Sequence, residues 1–600
     1  MSLNVTLGTA LTGLRVNQKA IEVASQNVAN ASTVGYSRQV LHREALTTAG
    51  VGSGVGTAAI SRTVDDFLVR EIRTQNAAVG AETVRSDYLS RTQDMFGSLA
   101  NDTSLTSRLT ELATSIGALA NEPESAAQRL NLVQAAQSFA LAMTDASGSI
   151  QSMRQDVERD IDQGVKAVNE QLQMIADLNK QIVHRQALGE SPNELLDKRD
   201  AALAAAAEYV DVQSFTRESG EVVLYTKSGK PLVDGSAHLL SYAPASAVGV
   251  DTTFDAIMLD GKPVGASLQS GKLTALVELR DKTLPGLQSQ MDALAEKVRD
   301  QVNLAHNRGT AIPAPAELEG TRTFADVDAE QITISSPVRI AAVDEAGVIQ
   351  AYTDLPAGSY TIAQLRDAVN GQLGGSVTAT AVDGGGFSLT AASGLGVSVV
   401  DLAGTATDAT VTHTVDGATR EYRGLSNFLG LNDMFVTPGR SPSDPRTGLS
   451  GMIAVREDIV ENPSAVARGR LETGVTPAPQ AGVTVGLTTG ATDTLAGIAA
   501  ALDTKVAFGS IGGLPAFSGT VAEYATQIIS SNAQQAAGAS NRMDYQLAVQ
   551  ADLSNRAASV SGVSVDEEMA NLVAAQNAYA ASARVISVVS EMLDLLNNLR

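Results

Sequence analysis

The chain of 600 residues contains no cysteine and no tryptophan, and it lacks a continuous apolar run long enough to cross a bilayer. The absence of cysteine excludes a disulfide framework, a thiolate metal site and a thiol nucleophile. A membrane-spanning helix needs about 18 consecutive apolar residues, so no membrane partner is expected. Basic residues are scarce, since 43 Lys and Arg stand against 66 Asp and Glu. The resulting net charge of −23 argues against a nucleic-acid partner, which would need a basic surface.

Residue patterns typical of an active site are also missing. The chain has five histidines, and none has a second histidine or a carboxylate at metal-binding spacing; they are His42, His184, His238, His306 and His413. The glycine-rich stretch "GVGSGVG" at 50–56 lacks the Lys-Ser/Thr of a phosphate loop, so we interpret it as a flexible link. We therefore expect no catalytic residue, no metal, no cofactor and no enzymatic activity.

Both ends of the chain carry apolar residues at seven-residue spacing, the pattern of a coiled-coil strand. The first 40 residues have three basic groups and one acidic group, whereas the last 40 have two basic and five acidic groups. These opposite charges favour pairing of the two ends. A narrow seam leaves apolar surface uncovered, so we expect neighbouring molecules to pack against it. The predicted assembly residues are Leu3, Leu7, Leu14, Ile21, Val28, Val565, Leu572, Tyr579, Ile586 and Leu593. Two helices docked on one globular core remain the alternative.

The sequence between the ends predicts a mainly α protein with an inserted β-rich domain. Helical patterning extends from about 75 to 208, with a second long helix at about 284–307, and "EVVLYTKSGKPLVDG" predicts a hairpin turning at Ser228 and Gly229. Residues 321–450 contain no lysine and are rich in Gly, Thr, Ser and Val. The predicted organisation is an elongated multidomain chain: a terminal coiled coil (1–45 and 560–600), a helical trunk (46–320 and 451–559, with a β-hairpin region at 210–268) and a β-rich surface domain (321–450).

The end of the first predicted helix has a distinctive sequence. "NVANASTVGYSRQ" at 27–39 resembles the N-terminal signature of the bacterial flagellar rod, hook and hook-associated proteins, with the matching positions Asn27, Asn30, Thr33, Gly35 and Tyr36. The segments 54–73, 121–139, 191–200, 270–309 and 562–599 extend the resemblance, and the internal ones favour the family member that joins the hook to the filament. Asn and Ser compete with a helix for main-chain hydrogen bonds, and Gly35 tolerates a positive φ, so the segment also predicts a helix end on physical grounds.

This resemblance implies a structural protein of the hook–filament junction that allows filament assembly and motility. It implies partners as well: further copies of the chain in a ring or tube, hook protein, hook-associated protein 3, and an export chaperone on the C-terminal helix. The start of the chain is a poor signal peptide, which agrees with type III export to an extracellular location. The alternatives are another axial component, such as hook protein or hook-associated protein 3, and a secreted effector or adhesin acting through residues 321–450.

Overall fold

The computed structural model describes residues 3–33, 35–48, 51–97, 104–403, 409–415, 418–440, 446–474 and 477–598. The long helices lie at the two ends and in the first half of the chain, and most strands lie between them. The helices are α1 (Leu3–Ala29), α2 (Asp66–Met95), α3 (Leu105–Asn121), α4 (Ala126–Ala187), α5 (Asn193–Tyr209), α6 (Lys272–Glu278), α7 (Leu284–His306), α8 (Ile362–Leu373), α9 (Leu425–Leu429), α10 (Glu457–Glu461), α11 (Asp493–Asp503), α12 (Val521–Ser561) and α13 (Val565–Asn598).

The strands form small antiparallel sheets. They are β1 (Gln39–Thr48), β2 (Val51–Arg62), β3 (Val212–Thr216), β4 (Val222–Thr226), β5 (Pro231–Asp234), β6 (Ser236–Ala237), β7 (Leu240–Ser241), β8 (Met258–Leu259), β9 (Lys262–Pro263), β10 (Glu317–Phe324), β11 (Gln331–Ile334), β12 (Val338–Val343), β13 (Ile349–Leu355), β14 (Gly358–Thr361), β15 (Val377–Ala381), β16 (Gly385–Ala391), β17 (Gly396–Asp401), β18 (Thr410–Val415), β19 (Ala418–Arg423), β20 (Phe435–Val436), β21 (Ala454–Val455), β22 (Val506–Phe508) and β23 (Phe517–Gly519).

The trunk is organised around α4, which has 62 residues and is about 93 Å long at 1.5 Å per residue. The Ser125 side chain caps its start by accepting a hydrogen bond from the Gln128 N–H. Ile161, Val168 and Ile175, the apolar row at seven-residue spacing, are completely buried. Helices α3, α5 and α7 and strand β5 pack against α4, and the row belongs to the core of the trunk, which confirms the prediction of a long packed helix. Gly229 has φ +86° in the predicted hairpin turn.

The strands from β10 to β19 confirm that the middle of the chain is rich in β structure. They form three sheets, with strand orders β10-β16-β15, β14-β11-β18-β19 and β13-β12-β17. Helix α8 begins with a capping box at Thr361 and packs against β15 and β13. Alternating residues such as Val377, Ala379 and Ala381 face the core that the sheets enclose.

The glycine-rich stretch after the first helix is a strand, so the expectation of a flexible link was wrong. Residues 51–56 belong to β2, which pairs with β1 in a long two-stranded ribbon, and residue 50 lies outside the described residues. The ribbon packs against α1. A Cβ on Gly54 would lie 2.2 Å from Thr12 Oγ1, so this glycine allows the close approach. The Val55 N–H donates to the same hydroxyl (3.3 Å).

Candidate functional site

The terminal helices α1 and α13 pack against each other in antiparallel orientation. Near one end Asn27 contacts Glu568, and further along a Cβ on Gly13 would lie 3.3 Å from Ser582 Oγ. The interior of the pair consists largely of small residues, with Ala24 and Ala575 among the buried ones. Small side chains let two helix backbones approach closely, so the pair forms a thin layer with little core of its own.

The predicted assembly residues lie mostly along the margins of this pair. Leu3, Leu7, Leu14, Ile21, Val28, Leu572, Ile586 and Leu593 are half-buried, whereas Val565 and Tyr579 are exposed at 45% and 36%. The fully buried positions on α1 instead include Ala10, Val16 and Asn17. The β1–β2 ribbon accounts for this difference, because it covers a second side of α1. The buried face of α1 therefore lies between the ribbon and α13, and the leucine row lies at the edge of that face.

Two exposed apolar stripes flank the buried face of α13. Stripe 1 is Val565, Met569 and Val573, and stripe 2 is Val585, Val588, Met592 and Leu595; their exposed fractions lie between 42% and 63%. At about 100° per residue around the axis of α13, Met569 lies about 120° from the buried Ala575 in one direction, and Met592 lies about 100° from it in the other. The two stripes therefore face different directions and lie at different heights along the helix.

Stripe 2 also borders an open apolar pocket of about 370 Å³. Leu3 and Thr6 of α1 close one side of this pocket, and Arg584 lies at its rim. Large exposed apolar patches commonly mark contact surfaces, so stripes 1 and 2 are a candidate contact surface.

The signature turn centres on the buried amide of Asn27, which uses its full hydrogen-bonding capacity. Its Nδ2 donates to the Gln39 carbonyl (2.9 Å) and to Glu568 Oε2 (3.0 Å). Its Oδ1 accepts from the Gln39 N–H (3.0 Å) and from the Tyr36 hydroxyl (2.8 Å). One side chain thus joins the end of α1, the start of the ribbon and the first turn of α13.

The other signature residues shape the turn itself. The Asn30 Nδ2 donates to the Gln26 carbonyl (3.0 Å), and its Oδ1 accepts from the Thr33 hydroxyl (3.2 Å). Gly35 has φ +82°, a conformation that side chains rarely adopt. Burial raises the pKa of Tyr36, and the nearby Asp197 carboxylate adds to the effect. The hydroxyl therefore stays protonated and able to donate.

Ion pairs attach this turn to α13 and to the trunk, and sequence reasoning did not predict them. The Arg38 Nε lies 2.8 Å from Glu568 Oε1, whose side chain is almost completely buried. The Arg62 Nη1 lies 2.6 Å from Asp197 and 3.0 Å from Asp200, both on α5. The only signal available was the resemblance of segment 191–200, which contains both aspartates.

None of the described residues forms a cluster of three or more His, Cys, Asp or Glu side chains that could hold a metal ion. His42 contacts Ser61, His238 pairs with Asp260, and His413 pairs with Glu330. His184 lies on the exposed end of α4, whereas His306 is completely buried. Across the same residues, no helix combines the length and apolar character that a membrane span requires.

Three family profiles match parts of the chain. "Flagella basal body rod protein" matches residues 7–36, which end at the signature Tyr36. "Flagellar hook-associated protein FlgK helical domain" matches 89–317, and "Flagellar basal body rod FlgEFG protein C-terminal" matches 555–599. The chain is therefore similar to flagellar hook-associated protein 1. It is a structural component of the bacterial flagellum.

Two relatives match almost end to end, and a third matches in part. Flagellar hook-associated protein 1 of Escherichia coli K12 is 24% identical over 99% of each chain, and that of Salmonella typhimurium LT2 is 26% identical over 98% of this chain and 99% of its own. The Bacillus subtilis 168 protein is 29% identical over 37% of this chain and 46% of its own. The flagellar hook junction protein FlgK from Burkholderia pseudomallei matches structurally with a TM-score of 0.46 at 16% identity, over 82% of this chain and all of that one.

Proposed function

We propose that this chain joins the hook to the filament outside the cell, as a ring or tube of identical, non-catalytic subunits. Hook protein would contact one side of the ring and hook-associated protein 3 the other. Export would proceed without a cleaved signal, with a chaperone covering α13 before assembly. Within each subunit the proposed division is the terminal pair (1–45 and 560–600), the trunk (46–320 and 451–559) and the inserted domain (321–450).

The uncovered apolar surface of the terminal pair supports this proposal most directly. Full burial of a Val, Leu or Met side chain contributes about 1.5–3 kcal/mol, yet stripes 1 and 2 stay about half exposed within one copy. Among the residues that the structure describes, no further element of one copy covers them, and the ribbon occupies the other side of α1. Neighbouring copies that covered stripe 1 from one side and stripe 2 from the other would gain this burial.

The margin residues of the pair have a role in the same contact. The leucine row Leu7 and Leu14 borders the exposed Leu11, so α1 offers an apolar edge beside the basic Arg15. The α13 segment 565–598 carries five acidic groups and one basic group. An α1 edge of one copy and an α13 stripe of the next are therefore complementary in charge as well as apolar. We accordingly assign the ten predicted assembly residues to subunit packing.

Deletion of the gene tests the position of the subunit. Cells should then carry hooks without filaments, and monomeric flagellin should collect in the medium, as seen by electron microscopy and blotting. Missing hooks would instead move the protein to the hook or rod. Normal filaments would contradict the proposal and direct attention to an activity of residues 321–450.

Charge substitutions on α13 test the surface. Met569→Asp with Val573→Asp should abolish filament growth. The control, Ala570→Asp with Ala574→Asp, adds the same charge at exposed positions of the same turns that lie outside the stripe, and it should leave filament growth intact. Both proteins should reach the medium in normal amounts, which separates an assembly defect from an export defect. Equal motility of the two strains would overturn the role of stripe 1.

A further inference from the structure

Along the described part of the chain, four crossings connect the inserted β-rich part to the trunk. The chain leaves the trunk after α7, and its side chains from Leu318 to Leu431 form the core of the insert. Met434 to Val466 return to the trunk core. Leu471 and Leu487 then pack on the insert again, before Leu495 re-enters the trunk. A domain joined by two flexible linkers would need only two crossings.

The third and fourth crossings enclose a segment that lies across the β13-β12-β17 sheet. We call its described residues, 468–474 and 477–487, the latch. Leu471 and Leu487 bury their side chains against Val343, Ile349 and Val400 of this sheet and against Ile312. Main-chain hydrogen bonds align the latch with the start of β13. The Ile349 N–H donates to the Thr484 carbonyl (2.9 Å), and the Gly482 N–H donates to the Ile349 carbonyl (2.8 Å).

One buried arginine of the sheet anchors the latch. Arg339 on β12 is completely buried, and its Nη1 donates to the carbonyls of Glu472 (3.1 Å) and Gly474 (3.0 Å). Its Nε and Nη2 form two parallel bonds of 2.8 Å with the Asp354 carboxylate. The fork geometry of a guanidinium permits this combination, and lysine could not reproduce it.

The base of the latch is attached to both parts of the molecule. The buried guanidinium of Arg468 donates to the carbonyl of Ile312, whose side chain packs on the insert's sheet, and to the Pro123 carbonyl of the trunk. The Thr310 N–H donates to the Gly469 carbonyl (2.8 Å). The Ala467 N–H donates to His306 Nε2 at the end of α7 (2.9 Å). Detachment of the latch would therefore disrupt contacts to the trunk and the insert together.

We propose that the latch locks the inserted domain to the trunk in one orientation, with Arg339 as its anchor, so that the two move as a single rigid body. A lateral force on the insert is then transmitted to the trunk, and the insert does not rotate about the segments that connect it. Because the isolated chain carries every contact named, this inference does not depend on assembly or on a position at the hook–filament junction.

Distance measurement between spin labels tests the lock, and the cysteine-free chain makes labelling specific. Gln134→Cys on α4 and Thr378→Cys on β15 place one label on the trunk and one on the insert, both at exposed positions. The full-length double variant should give one narrow distance by pulsed electron resonance. Adding Arg339→Met should broaden the distribution. Adding Arg366→Met, which removes a surface arginine of α8 paired with Asp367, should leave it narrow.

A cleavable latch provides the second variant if Arg339→Met unfolds the insert, which circular dichroism would reveal. A specific protease site between the exposed Ala481 and Gly482 keeps Arg339 in place. The distance should be narrow before cleavage and broad after it. A broad distribution in the uncut protein, or a narrow one after complete cleavage, would overturn the lock. A narrow distribution in a folded Arg339→Met variant would overturn the assignment of Arg339 as the anchor.

Discussion

Replacing Asn27 with alanine tests whether one buried amide holds the terminal helix pair on the rest of the chain. The substitution removes four hydrogen bonds and leaves the main-chain N–H and carbonyl of the buried Gln39 without their partners. Tyr36 is half-buried and regains a bond from water, and Glu568 keeps its ion pair with Arg38. The loss therefore rests mainly on the two Gln39 groups.

Each orphaned buried group costs about 1–3 kcal/mol, so for the two groups we expect the terminal pair to open more easily by about 2–6 kcal/mol. At about 1.4 kcal/mol per tenfold change, this corresponds to an opening equilibrium about 30-fold to 20,000-fold larger. The pair has few buried side chains of its own, since Glu568, Ala575 and Val589 are the only fully buried residues among those of α13 whose burial the structure describes. It therefore has little other stabilisation to offset the loss.

Amide hydrogen exchange of the purified monomer, read by mass spectrometry, measures this opening directly. Peptides from α1 and α13 should exchange faster in Asn27→Ala, while peptides from α4 keep the parental rate. Asn30→Ala is the matched control, because its bonds to Gln26 and Thr33 lie at the exposed side of the same turn. Parental exchange rates in Asn27→Ala, or equal acceleration in Asn30→Ala, would refute the reasoning.

Two further predictions concern the trunk. Burial lowers the pKa of His306 to about 4 from an ordinary 6.5, so its contribution to stability is complete above about pH 6.5 and is lost as the pH falls towards 4. In urea unfolding, His306→Gln should remove about 3 kcal/mol of this pH dependence. Burial raises the pKa of Asp433, whose opposite contribution should stay unchanged. Arg280→Met leaves the fully buried Glu158 carboxylate without its cation, and it should lower the free energy of unfolding by about 3–5 kcal/mol. The same change at the exposed Arg159 should cost less than about 1 kcal/mol, and equal thermal midpoints for the two variants would contradict this.

Periodicity predicted the trunk well because α4 is surrounded by other elements. Its row of Ile161, Val168 and Ile175 faces a core over its whole length, so the apolar pattern in the sequence coincides with the buried face. The same reasoning located the β-rich insert, where composition changes abruptly and alternating residues such as Val377 and Ala379 face the core.

Periodicity was less informative at the two ends. The leucine row of α1 and residues such as Val565 and Tyr579 of α13 have the same spacing as a buried seam, yet they lie at the margins of the pair or in solvent. An apolar repeat in the sequence indicates that one face of a helix is buried. It does not distinguish a partner helix of the same chain from the ribbon or from another copy.

The sequence by itself determined where the helices run, where the terminal helix ends and where β structure replaces helix, because these features depend on local spacing, capping and turn residues. Only the tertiary structure decided that Asn27 meets Glu568 across 541 positions, that a glycine-rich stretch becomes a strand on α1, and that residues near 470–487 return to the insert through Arg339. Such contacts join residues with no local pattern in common. They depend on how the whole chain packs, which no short window of sequence records.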